Sequence, residues 1–346
     1  MIPNKVTVTE VAQLAGVSIS TVSMVLNGKG RISKSTTQKV NQAIEQLNYV
    51  PNHAASTLRG QQAKVIGLIL RDMTHPFYME VASGLSDAIE QAGYMLFISQ
   101  TRGQPEQFKR CVMALQQQQV SGIVFSPMNS GQETSLALIS NIGIASLCIS
   151  RASLPMDIDL ACPDNSMGTT IVTETLVSQG HRHIAYIGGH SSSLTRAERL
   201  AGYCSALMRC NLPFNPKWII ETDGSQQAAI VAIQQLLIQQ PKITAILCHD
   251  TTTALGVAYG LKNVGRSIGQ DIYIGQQVSL AILEYSTGIE LIDSEFILLK
   301  HASLELGRQA GNRILQRIKQ AELPAQRIML KPEITKTEFD PQKAGS

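Results

Sequence analysis

Apolar positions along the chain follow two rhythms. Up to residue 47 they recur at the three-to-four spacing of helices, and from residue 65 they gather into short continuous runs. The early part predicts three helices, over residues 8–15, 19–26 and 34–47. Thr7 and Glu10 have the spacing of a capping box, Gly16 permits a tight turn, Ser18 and Ser33 are good N-caps, and Asn27-Gly28 closes the second helix. Val22, Val25 and Leu26 form the buried stripe of that helix; Val40, Ala43, Ile44 and Leu47 form that of the third. The second helix also carries Ile19 and Met24 on its opposite side, beside Ser20 and Ser23. Either these residues widen the core, or that face meets something other than water. A helix, a tight turn and a second helix make a helix-turn-helix unit, whose second helix lies in the DNA major groove. There Ile19 and Met24 can pack on thymine methyls, and the serines can bond base edges or phosphates.

From residue 65 the runs read as strands: 65–70, 95–99, 122–126, 145–150, 183–189, 245–249, 278–283 and 296–300. Amphipathic helices are predicted between most of them, among them 76–92, 105–118, 166–179, 194–209 and 252–264. This alternation predicts parallel sheets in two doubly wound α/β subdomains, with a ligand cleft at the carboxyl ends of their strands. The expected organisation is a helix-turn-helix domain over 1–50, a hinge over 51–62, a sensor and dimerisation domain over 63–340, and a disordered polar tail over 341–346.

Charge sharpens the first part. Residues 1–62 hold Lys5, Lys29, Arg31, Lys34, Lys39 and Arg59 against Glu10 and Glu45, while the rest of the 346-residue chain is nearly balanced. A solvated surface would explain this, but so would a polyanion-binding module joined to a neutral domain. No apolar run approaches the ~20 residues of a bilayer span, and no secretory h-region is visible, so a cytoplasmic location without membrane association is expected. Six cysteines without paired metal spacing read as free apolar residues. His181 and His183 form an H-x-H with no acidic or thiol cluster nearby, so no metal site is expected, and "IGGHSSS" lacks a nucleotide fingerprint, so no cofactor is expected either.

The segment from Val6 to Gly60, with "VAQLAGVSISTVS", "LNYVPN" and "AASTLRG", resembles the DNA-binding domain of the lactose/galactose repressor family almost without a gap. The resemblance continues, more weakly, through "RDMTHPFY", "VSGIVFSP", "PDNSMGTTIVTETLVSQGHRHIAYIGG" and "RAERLAGYCSAL", and is poor from Ser267 to His301. It implies an all-α three-helix DNA-binding domain with a hinge, followed by a periplasmic-binding-protein-like sensor. By position, Ile19, Ser20 and Met24 are implied to read bases. Many members have an arginine where Met24 stands, so a bidentate guanine donor is missing here. Thr9, Thr21, Ser23, Asn27, Arg31, Ser33, Thr36, Tyr49 and Asn52 match positions that hold the DNA backbone; Ala55 and Leu58 match the hinge that enters the minor groove, Leu58 as its wedge. A plain flexible linker is the alternative for that stretch.

In the sensor, His75, Phe77, Arg102, Ser150, Arg199, Asp250 and Glu284 match effector-binding positions. Ser150 replaces a frequent aspartate and is followed by Arg151; Asp250 stands where many members have asparagine, and Glu284 where many have aspartate. Carboxylates fit hydroxyl recognition, whereas two arginines could equally clamp a phosphate or carboxylate. The resemblance implies a non-enzymatic transcriptional regulator. It is expected to repress a carbohydrate operon of the maltose type, binding a pseudo-palindromic operator as a homodimer under control of a small sugar-like effector. The chain end has no heptad for tetramerisation. The other readings are an activator, a sugar-binding transport protein, disfavoured by the basic helix-turn-helix, and a dehydrogenase, disfavoured by the missing fingerprint.

Overall fold

Helix caps and short apolar strands divide the chain into two compact units, Met1–Ala63 and Lys64–Ser346. The computed structural model describes residues 6–26, 32–49, 63–128, 132–151, 158–269, 276–285 and 296–336.

The first unit contains α1 (Val8–Ala15), α2 (Ile19–Leu26) and α3 (Lys34–Gln46). The capping box forms as expected: the Thr7 amide donates to Glu10 Oε2 at 2.7 Å, and the Glu10 amide donates to Thr7 Oγ1 at 3.4 Å. Gly16 takes the left-handed conformation, φ 65°, that lets its amide close the end of α1. The chain then turns by 102° into α2. Ser18 Oγ accepts from the Thr21 amide at 3.2 Å, and Ser33 Oγ accepts from the Thr36 amide at 3.2 Å, so both later helices start on serine caps. Val11, Ala12, Ala15, Val22, Val40 and Ala43 form the small core.

The second unit contains two sheets. One is ordered β12-β5-β4-β3-β1-β2, from β1 (Ala63–Leu70), β2 (Met95–Gln100), β3 (Val120–Phe125), β4 (Ala145–Ile149), β5 (Asp159–Pro163) and β12 (Arg327–Leu330). The other is ordered β13-β11-β10-β8-β6-β7, from β6 (Ile184–Ile187), β7 (Ile219–Ile220), β8 (Ala245–Cys248), β10 (Gln277–Ile282), β11 (Phe296–Lys300) and β13 (Glu333–Lys336), with β9 (Ser267–Ile268) beside β10. Pairing is parallel at β1–β2, β3–β4, β4–β5, β5–β12, β6–β8, β8–β10 and β10–β11, as the apolar runs predict. The exception is β13, which lies antiparallel on β11: the chain leaves β12 in the first sheet and enters the second sheet as β13, opposite in direction to its neighbour.

The helices are α4 (Pro76–Glu90), α5 (Pro105–Gln117), α6 (Gln132–Ser140), α7 (Asn165–Ser178), α8 (Leu194–Arg209), α9 (Gln226–Gln239), α10 (Thr251–Asn263) and α11 (Ser303–Lys319). The chain passes between the two lobes three times: from β5 to α7, from β11 to α11, and from β12 to β13. α4 and α11 pack backbone to backbone, since a Cβ on Gly84 would stand 1.9 Å from the Leu304 carbonyl oxygen. Asp159, fully buried on β5, ties α11 down through Arg313 Nε at 2.9 Å and Arg317 Nε at 3.0 Å, and accepts from the Gln326 amide at 2.8 Å. All six cysteines are free. Among the described residues no single helix is long and apolar enough to cross a membrane.

Candidate DNA-contact surface and effector cleft

In the first unit the periodicity of α2 settles where its residues go. Val22 is fully buried, while Ile19 is 49 % and Met24 40 % exposed, with Ser20 exposed between them. Ile19 and Met24 therefore do not widen the core. Hydroxyls border this face: Ser20 and Thr21 both bond the Ser18 cap, at 2.7 and 2.8 Å, and Thr36 bonds the Ser33 cap at 2.8 Å. Thr9 is exposed, Ser23 is half-buried, and Tyr49 packs partly against the small core. Asn27, Arg31, Asn52, Ala55 and Leu58 lie outside the described residues.

In the second unit a cavity of about 750 Å³ opens where the carboxyl ends of both parallel sheets face each other. Strands β1, β4, β6, β8, β10 and β11 each deliver a residue there just past their last residue: Arg71, Ser150, Gly189, His249, Glu284 and His301. Five of the sequence-predicted effector residues line it, namely His75, Phe77, Ser150, Asp250 and Glu284. Asp250 also caps α10, accepting from the Thr253 amide at 2.8 Å.

Glu284 is the electrostatic centre. Its Oε2 accepts from Arg151 Nη2 at 2.5 Å and from Arg199 Nη2 at 2.7 Å, and its Oε1 lies 3.4 Å from His75 Nε2. Burial pushes the carboxyl up, but Arg151 and Arg199 outweigh it and hold the group well below the ordinary carboxylate range. Arg199, only 1 % exposed, sits beneath the cavity floor and also donates to the His249 carbonyl at 2.6 Å and to Asn165 Oδ1 at 3.3 Å. Gly188 and Gly189, at φ 107° and 73°, let the chain after β6 pass against His249, where a side chain would collide with the ring. His249 Nδ1 lies 2.7 Å from the Tyr186 hydroxyl. Burial first, and the neighbouring arginine second, hold three imidazoles neutral: His75 and His249 below their ordinary value, and His301 down to about 4. His301 Nε2 lies 3.1 Å from the Leu283 carbonyl, so that nitrogen carries the proton and Nδ1 is a bare acceptor. Among the described residues, Arg151 Nε, His75 Nδ1 and His301 Nδ1 are buried without a protein partner.

Arg102 is the correction. It is exposed, at φ 52° in the turn after β2, beside Arg71, Asp72 and Gln100 rather than in the main cavity. β2 is the edge strand of its sheet, and Thr101 and Arg102 close the turn through amides to Leu70 and Arg71 carbonyls, which sends the side chain outward. Conversely, Arg151, Asn165, His249 and His301 were not among the predicted site residues. Arg151 had a signal, as the residue following Ser150; the others carry none in the sequence alone.

Two family models cover most of the chain: bacterial regulatory proteins of the lacI family over residues 7–52, and periplasmic binding proteins and sugar-binding domains of the LacI family over residues 63–336. The chain belongs to the LacI family. It is a DNA-binding regulator of that family, with a sensor domain behind its helix-turn-helix unit. The maltose regulon regulatory protein MalI of Escherichia coli is 41% identical over 329 residues, covering 94% of this chain and 96% of that protein. The ribose operon repressor of Haemophilus influenzae is 28% identical, covering 94% and 96%. Among solved structures, the Lac repressor dimer bound to operator and the anti-inducer ONPF superposes with a TM-score of 0.81 at 26% identity, covering 96% of this chain and 98% of that one. These relatives are transcriptional regulators.

Proposed function

We propose that this regulator represses a carbohydrate operon of the maltose type, in the cytoplasm. It binds a pseudo-palindromic operator as a homodimer and adjusts its affinity when a small neutral carbohydrate enters the cleft. The observation that carries the DNA-binding role is the exposed Ile19–Ser20–Met24 face on a helix whose opposite side buries Val22 fully and Val25 and Leu26 in part. In the major groove that face reads bases, while Thr9, Thr21, Ser23, Ser33, Thr36 and Tyr49 hold the backbone, joined by Asn27, Arg31 and Asn52; Ala55 and Leu58 serve the hinge. A second copy is supported by the operator-bound dimer above and by edge strand β2, which leaves Met95, Phe97 and Ile98 exposed.

The effector class follows from charge. Glu284 pairs with both Arg151 and Arg199, which leaves one positive charge over, and the rest of the wall has Asp72, Glu80, Asp223 and Asp250 against Arg71. Carboxylates therefore outnumber arginines around the cavity, which favours a hydroxyl-rich neutral ligand over a phosphate or carboxylate. A thermal-shift panel of sugars, sugar phosphates and nucleosides tests this. A ligand at about 100 times its dissociation constant stabilises by about 2.7 kcal/mol. Neutral sugars are expected to raise the melting temperature and sugar phosphates are not. A shift confined to anionic compounds would overturn the effector reading.

The wedge role makes a separate prediction. Leu58→Ala is expected to weaken binding to a selected operator while leaving random-sequence binding nearly intact, because a wedge acts only where the duplex is kinked. Equal loss on both duplexes in a gel-shift titration would count against it.

A further inference from the structure

We infer that Arg151 is an internal latch of the cleft: carried by the first lobe, it seats on the Glu284 carboxylate of the second and holds the lobes together with no ligand between them. This goes beyond the proposed function, because it needs no effector of any kind.

The two residues belong to different sheets and stand 133 positions apart in the chain. Arg151 follows β4 by two residues, and its base is fixed in the first lobe by the Ser150 amide, which donates to the Ala161 carbonyl of β5 at 3.0 Å. Glu284 follows β10 by two residues, and its base is fixed in the second lobe by the Leu283 amide, which donates to the Cys248 carbonyl of β8 at 2.9 Å. The 2.5 Å contact between their side chains therefore spans the cleft.

Both ends of Arg151 are engaged across it. Its carbonyl accepts from Asn165 Nδ2 at 2.7 Å and from Thr195 Oγ1 at 3.4 Å, on α7 and α8 of the opposite lobe. Asn165 is in turn held by Arg199 and by Glu198 Oε2, at 3.3 and 2.8 Å. The receiving side is thus held by contacts within its own lobe.

The two arginines on Glu284 have different roles. Arg199 shares its lobe, is 1 % exposed, and keeps the carboxylate charged whatever the first lobe does. Arg151 is the one that can leave. Its side chain is 21 % exposed, its Nε has no protein partner, and Glu284 stays paired with Arg199 when it departs. The latch also occupies the group that a ligand hydroxyl would otherwise find, so Arg151 sets which ligands the cleft admits.

The test measures the distance between the lobes in the full-length, ligand-free protein, assembled with excess unlabelled chain so that each dimer carries one labelled copy, by pulsed electron resonance between spin labels on genetically encoded side chains at Met73 and Gln227, exposed positions on opposite lobes. The wild-type chain is expected to give one narrow, short population. Arg151→Met is expected to move it to longer distance, and Arg151→Lys, which keeps the charge but shortens the reach, to an intermediate one, with circular dichroism unchanged in both. A wild-type distribution that is broad or split without ligand overturns the latch irrespective of the variants. So does an Arg151→Met distribution that superposes on the wild type.

Discussion

At the scale of single residues, Glu284 is a buried anion that organises its surroundings. Removing its charge leaves Arg199 buried without a counter-ion and takes from Arg151 the anion it seats on. Breaking a buried pair in this way costs about 3–5 kcal/mol, so Glu284→Gln is expected to lower the melting temperature of the protein by several degrees. Arg151→Met is expected to cost less, because Glu284 keeps Arg199. If the two variants melt together, the division between a supporting and a departing arginine fails.

The imidazoles add a pH dependence. His301 is neutral in the fold down to about 4, and His75 and His249 are also held below the ordinary 6.5. As pH falls below about 6.5 the unfolded chain takes up protons that the folded chain refuses, so stability drops across that window. The depressed Glu284 acts in the same direction at lower pH: its contribution is complete above about 4.5 and is lost as pH falls through its folded value. Melting temperature measured from pH 8 to pH 4 is expected to start falling near 6.5, and a flat profile over that range would contradict the neutral imidazoles. At this scale the sequence was legible where one helix decides the outcome: Ile19 and Met24 oppose Val22 by periodicity alone, and the structure exposes them. It was not legible where a role depends on two strand ends meeting, as with Arg151 and Glu284, nor where a turn at positive φ redirects a matched position, as at Arg102.

At the scale of elements, capping chemistry marks ends sharply. α1 and α2 run over the residues that Thr7, Gly16 and Ser18 predict, and the long strands and their helices fall within a few residues of their apolar runs. β12 and β13 are not legible because their residues, RIML and EITK, carry charged side chains and form no continuous apolar run of the kind that marks the equally short β6 and β8. α11 was not among the named helices, and its Gly307 and Gly311 resemble helix breakers. The structure gives them a different purpose. A Cβ on Gly307 would stand 2.1 Å from the Val81 carbonyl oxygen, just as one on Gly84 would meet Leu304, so these glycines let α4 and α11 touch. Gly84→Ala is expected to destabilise the protein by about 1–3 kcal/mol through overpacking, despite alanine's better helix propensity. A urea midpoint that rises instead would mean the helices can separate without loss.

At the scale of the whole molecule, three chain crossings join two lobes that each send strand ends into one cavity, so whatever fills that cavity acts on both lobes at once. A ligand can shift such a system only by its differential affinity for the lobe arrangements, and Arg151 biases that equilibrium before any ligand arrives. Reading DNA belongs to the other unit and to sequence chemistry. Met24→Arg is expected to introduce a guanine preference at one half-site position, worth about 1–3 kcal/mol, visible as a changed motif in selected duplexes. The measurement that bears most directly on the account is that selection, made first with the unaltered full-length protein. Random duplexes are partitioned by binding at about 150 mM salt, where non-specific phosphate contacts are weak, and the survivors are sequenced. Enrichment of two inverted half-sites on one two-fold axis is expected. Recovery of duplexes with no shared motif would contradict it.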